Sequence, residues 1–121
     1  MAQRLLLTGA AGNIGRDLRI RLAEHCQALR VSDVADLGPA RPGEECVSAR
    51  LEDSDAMDRL LAGVDAVVHM GGVPEERSFE SILAANIVGL RNLYEAARRH
   101  KVRRLVVASS LHVTGYYRQD Q

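Results

Sequence analysis

Leu5-Leu6-Leu7-Thr8-Gly9-Ala10-Ala11-Gly12-Asn13-Ile14-Gly15 sets an apolar run, a glycine-rich turn and the start of an amphipathic stripe in direct succession. Three consecutive leucines read as a strand buried on both faces, as in a parallel sheet. The glycines behind them predict a tight turn. A helical stripe then begins at once: Ile14, Leu18, Leu22 and Cys26 recur every four residues, while Arg16, Arg19 and Glu24 lie off that face. In a strand, glycine turn and helix of this kind the backbone can approach a pyrophosphate closely. The amides at the helix start, around Asn13 and Ile14, then meet the anion with the help of the helix dipole. Glycine spacing alone is weak evidence, and a purely structural turn is the competing reading.

Downstream of this stretch, strand-like and helix-like segments alternate. Leu29-Arg30-Val31-Ser32-Asp33 predicts a second strand. Residues 36–43 hold two Pro and two Gly and read as a loop. Cys46-Val47-Ser48-Ala49 predicts a short third strand. Ser54 is a candidate cap for a helix running through Leu61, with Gly63 as its stop. Ala66-Val67-Val68-His69-Met70 predicts a fourth strand, closed by Gly71-Gly72. Ser78 then opens one long helix with an apolar stripe of Phe79, Ile82, Leu83, Ile87, Leu90, Leu93, Tyr94 and Ala97. Basic residues 98–101 suit its C-terminal end. Leu105-Val106-Val107-Ala108 predicts a fifth strand leading into Ser109-Ser110.

That alternation implies right-handed crossovers and an α/β, Rossmann-type parallel sheet covered by helices, with strand order 3-2-1-4-5. A ligand crevice is expected beyond the C-terminal ends of strands one and four, where the loops starting at Gly9, Asp33, Gly71 and Ser110 should meet. Asp33, at the end of strand two, is placed to accept the ribose hydroxyls of an adenosine and to repel a 2′-phosphate, which favours NAD over NADP. The alternative for Asp33 is a plain strand end on the surface.

The chain has 121 residues, enough for one domain (1–121) and one thin core. Lys plus Arg equals Asp plus Glu at 16 each, which argues against electrostatic capture of nucleic acid or anionic membrane. Cys26 and Cys46 are expected to be reduced thiols of a cytoplasmic protein. The N-terminal apolar run is too short for a signal peptide. His25, His69 and His100 show no metal-ligand spacing.

The motifs are also similar to those of a known family. Gly9-x-x-Gly12-x-x-Gly15 resembles the fingerprint of short-chain dehydrogenases/reductases. Asn86-Ile87-Val88-Gly89 resembles the Asn-x-x-Gly of the extended branch, the NAD-dependent epimerase/dehydratase family, and the stretch from Ser109 to Gly115 resembles the serine motif after the fifth strand. Within that branch the chain is most similar to uronate dehydrogenases, at His69-Met70-Gly71-Gly72, at Asn92-Leu93-Tyr94-Glu95-Ala96-Ala97, and at His112 with Gly115-Tyr116-Tyr117. The resemblance implies NAD-dependent oxidation of a hexuronate at C1 to the aldarolactone, in which a Tyr takes the proton, a Lys four residues on lowers its pKa and a serine orients the hydroxyl. It makes Ser110 that serine and His112 a contact to the sugar acid, a loop histidine facing solvent being the alternative. Gly71 and Gly72 would let the cofactor lie close to the backbone beside Met70, and Asn86, counted with the cofactor-binding residues, would support the strand ends beside the cofactor, direct contact with it being the alternative.

Three departures qualify this. Neither Tyr116 nor Tyr117 has a Lys four residues on, and no Tyr-x-x-x-Lys occurs up to Gln121. The expectation is therefore an NAD-binding half, truncated before the later strands and without the substrate-binding part. Leu111 stands where these dehydrogenases usually carry Asn. Arg50 replaces an Asp that often contacts adenine, leaving Leu51 and Glu52 to line that pocket. A sugar-nucleotide epimerase or dehydratase and a non-catalytic dinucleotide-binding module stay open as alternatives, and so does a homo-oligomer.

Overall fold

The computed structural model describes residues 2–73 and 77–110. Its strands are β1 (Ala2–Thr8), β2 (Cys26–Asp33), β3 (Glu44–Ser48), β4 (Ala66–His69) and β5 (Arg104–Val107). Its helices are α1 (Asn13–Leu22), α2 (Ser54–Leu61), α3 (Phe79–Ile82) and α4 (Gly89–Arg99), with a π-helical segment (Leu83–Val88) between the last two. The five strands form one parallel sheet in the order β3-β2-β1-β4-β5, as the alternation predicts.

The three leucines explain why β1 is central. Successive side chains of a strand point to opposite faces. Leu6 joins Met57, Leu60, Leu61, Val67 and Leu93 in the core under α2 and α4. Leu5 and Leu7 join Leu29 and Val31 in a second core, against which Leu18 and Leu22 of α1 pack. The register pairs Thr8 with Ser32 on one side and with His69 on the other, so the strand ends that bear the turns lie level.

Several local expectations are corrected. Helix α1 ends at Leu22; a 3₁₀ turn (Ala23–His25) follows, and Cys26 opens β2 instead of continuing the stripe. Asp53, not Ser54, caps α2: its carboxylate accepts the Ala56 amide at 3.1 Å. Both residue types cap well, and the one whose backbone is extended takes the role. Ser78 does cap its helix, accepting from the Ser81 amide at 3.2 Å. That helix is not one regular rod, however, since Leu83–Val88 is π-helical. Nor is its whole stripe buried: Phe79, Ile87 and Tyr94 are exposed, as is Ile14 of α1.

Among the described residues, every buried side-chain nitrogen and oxygen has a hydrogen-bond partner. Arg30 is buried, pairs with Glu45 at 3.0 Å and donates to the carbonyls of Leu60 at 2.6 Å and Ala62 at 3.0 Å, closing the end of α2. Arg19 pairs with Glu44 at 2.7 Å and donates to Leu37 O and Pro39 O, which ties the loop after β2 to the start of β3.

Candidate cofactor-binding site

A groove of about 990 Å³ opens at the C-terminal ends of the central strands. The glycine turn, the end of β2, residues 49–52 after β3, the loop 70–73 and one side of the helix from Glu80 to Ala85 line it. Among the sequence-derived candidates, Gly9, Gly12, Asn13, Ile14, Gly15, Asp33, Leu51, Glu52, Met70, Gly71 and Gly72 all border it. The loops starting at Gly9, Asp33 and Gly71 meet there, and the fourth, after Ser110, lies outside the described residues. Ser110 is exposed and is not among the lining residues. His112 lies outside the described residues, as do Leu111, Tyr116 and Tyr117.

The glycine turn is closed by contacts that admit no side chain. Gly9 has φ +66°, and a Cβ there would come within 2.5 Å of the Met70 carbonyl. A Cβ on Gly15 would overlap the Gly9 carbonyl oxygen. The turn also sorts its amides. Ala10 N–H goes to Ser32 O at 3.2 Å, Ala11 N–H to Asp33 Oδ2 at 2.9 Å and Gly12 N–H to Gly9 O at 3.1 Å. The first intrahelical bond is Arg16 N–H to Gly12 O at 2.9 Å. The amides of Asn13, Ile14 and Gly15 thus lie in the first turn, where a helix offers donors without internal acceptors. Gly12 at the cap position supplies no side-chain hydrogen bond and the first turn holds no acidic residue, so the dipole there is left for a ligand.

Asp33 does more than sequence reasoning assigned to it. Oδ2 holds the Ala11 amide and Oδ1 accepts from its own loop at Ala35 N, 3.0 Å away. Each carboxylate oxygen still has acceptor capacity toward the groove. Arg50, the departure noted above, also borders the groove and pairs with Glu52 at 3.3 Å.

Asn86 does not line the groove. Its side chain clamps Val73 instead: Oδ1 accepts the Val73 amide at 2.7 Å and Nδ2 donates to the Val73 carbonyl at 2.9 Å. The π segment carries Asn86 into this position and holds the loop behind Gly72. Sequence reasoning missed the segment and also Thr8, which borders the groove and whose hydroxyl lies 3.1 Å from both the Met70 and the Gly71 amide.

His69, beneath that loop, is buried, and burial pushes its pKa down to about 4. Its ordinary value near 6.5 holds in the unfolded chain, so unfolding takes up a proton at low pH. The resulting stabilisation is complete above 6.5 and is lost as the pH falls toward 4. Urea midpoints should decline over that interval, and His69→Phe should flatten the decline. An unchanged slope in the variant would show that other groups set it.

Residues 5–121 match the NAD dependent epimerase/dehydratase family. The chain belongs to this family. Within the epimerase/dehydratase family it is 50% identical over 119 residues to the uronate dehydrogenase of Pseudomonas putida, covering 98% of this chain and 44% of that protein. Among solved structures, a mutant uronate dehydrogenase from Agrobacterium tumefaciens complexed with NAD superposes with a TM-score of 0.95 at 52% identity, covering 98% of this chain and 45% of that one. The glucuronic acid dehydrogenase of Chromohalobacter salexigens gives a TM-score of 0.94 at 47% identity, covering 97% and 44%. The chain therefore spans less than half the length of these relatives. Among its described residues no helix is long and apolar enough to cross a membrane.

Proposed function

We propose that residues 1–121 form the NAD-binding portion of a dehydrogenase that oxidises the C1 hydroxyl of a hexuronate, galacturonate or glucuronate, to the aldarolactone. One observation carries this reading: orphan amides at the start of α1 and the Asp33 carboxylate share one groove, in a chain about 50% identical to uronate dehydrogenases. The fit to NAD rests on the turn itself: the Cβ-free contacts at Gly9 and Gly15 let it close tightly against its own backbone, and the turn so formed borders the groove.

The residues divide the work. The amides of Asn13, Ile14 and Gly15 bind the diphosphate. Asp33 accepts the ribose hydroxyls and repels a 2′-phosphate. Leu51 and Glu52 flank the base, and Met70, Gly71 and Gly72 form the wall along the other half of the dinucleotide. Asn86 supports that wall through Val73. Bound NAD supplies the hydride acceptor. Ser110 orients the hydroxyl to be oxidised, and His112 contacts the sugar acid. The proton acceptor of the reaction is a Tyr with a Lys four residues on, a pair absent from residues 1–121.

The deciding experiment offers the intact enzyme a panel of hexuronates and nucleotide sugars and follows the nicotinamide absorbance. Reduction of NAD with galacturonate or glucuronate alone is expected. Conversion of a nucleotide sugar without net NADH, read by chromatography of the sugar product, together with no NADH from hexuronates, would favour an epimerase or dehydratase instead.

A further inference from the structure

Thr8 and His69 face each other across β1 and β4, with Thr8 Oγ1 and His69 Nδ1 only 2.6 Å apart and both residues buried. The direction of this bond follows from counting protons. Thr8 Oγ1 is 3.1 Å from the amide of Gly71, which donates to it, and 3.1 Å from the amide of Met70, which is shared with the Thr8 carbonyl at 3.2 Å. A hydroxyl oxygen has two lone pairs and one proton. Two amide protons fill the lone pairs. A third donor on the same oxygen would have no acceptor site, and the hydroxyl's own proton would lose its partner. The proton therefore runs from Thr8 to His69, and Nδ1 is the bare nitrogen of a neutral ring.

We infer that His69 is a positioning residue for cofactor binding: as its Nε2–H tautomer it accepts the Thr8 hydroxyl and so fixes Thr8 Oγ1 as the anchor of the Met70 and Gly71 amides at the groove wall. The part that concerns the cofactor rests on the dinucleotide reading given above. His69 acts through Thr8. A buried imidazole suits the task because it offers a fixed, uncharged acceptor, whereas a buried carboxylate would bring a charge and a buried ammonium only donors. The depressed pKa agrees with a ring kept neutral. The space around it is filled as well: a Cβ on Gly71 would meet His69 Cε1 and Thr8 Oγ1, each at 3.3 Å. The loop amides therefore sit directly on this pair.

Nitrogen-15 spectra of the intact, histidine-labelled protein at neutral pH test the assignment without any substitution. The expected result is His69 protonated at Nε2 and bare at Nδ1. A ring protonated at Nδ1, or a charged one, overturns the inference. The cofactor arm compares two variants by calorimetry, with thermal unfolding as the folding control. Thr8→Ser keeps the hydroxyl and should bind NAD within about threefold of the parent, whereas Thr8→Val strands the Gly71 amide, leaves the Met70 amide only the Thr8 carbonyl, and should bind roughly tenfold more weakly. A folded Thr8→Val protein that binds NAD like the parent also overturns it. If the parent protein bound no dinucleotide, the functional reading would fall, while the tautomer would still decide how Thr8 and His69 are bonded.

Discussion

Gly15→Ala should weaken NAD binding on the order of 100-fold, because one methyl group separates the first helix from the turn that aims it. Gly15 is buried and its Cβ position coincides with the Gly9 carbonyl oxygen, a backbone atom with no rotamer to escape into. The helix must back away, and the amides of residues 13–15 move with it. Gly9 cannot yield either, since it is pinned against the Met70 carbonyl. Gly12→Ala is the informative control for folding: its Cβ meets the nearest atom at 3.4 Å, so stability should stay within about 1 kcal/mol. Calorimetry with NAD and thermal unfolding of both variants separate the two effects. A Gly15→Ala protein with parental NAD affinity would mean that the amides of this turn do not hold the diphosphate.

Asp33 gives the second large effect, and the choice of substitution decides what is learned. Asp33→Ala removes the ribose acceptor and also strands the Ala11 amide, so it loosens the turn. A loss of NAD affinity near 100-fold is expected, from two ligand hydrogen bonds and the disturbed turn together. NADP should lose less, because the variant also relieves the repulsion of its 2′-phosphate. Asp33→Asn keeps an acceptor for Ala11 while removing the charge. It should hold the turn and weaken NAD less than Asp33→Ala does, while still raising the NADP-to-NAD affinity ratio above the parent's. Titration of both dinucleotides into both variants measures this. Equal losses for the two dinucleotides in each variant would remove Asp33 from the ribose.

How far the sequence was legible follows from the range of the interactions. The sheet order rests on alternating segments, and the glycine turn is a local pattern. Both could be read from neighbouring residues and were found where expected. The Thr8–His69 pair joins positions 61 residues apart and leaves no local trace. The π segment was hidden for another reason. It differs from an α-helix in which carbonyl each amide chooses, while its apolar spacing looks helical over so short a run. Asp53 and Ser54 are adjacent cappers, and composition cannot rank them. The exposed Phe79, Ile87 and Tyr94 show that apolar periodicity identifies a helix face without saying that the face is covered. Ser110, read from a motif, lies outside the groove lining formed by the described residues.

The widened turn at Leu83–Val88 sets local regularity against ligand recognition. A π bulge amounts to about one residue more than an α-helix would use. Deleting one residue there, Ala85 for instance, would let the rod from Phe79 to Arg99 run straight, and helix propensity would favour the result. The same deletion would rotate Asn86 off the Val73 backbone and release the wall of the groove. The most regular helix and the best-held pocket therefore call for chains of different length, and selection for thermal stability alone would tend to erase the irregularity.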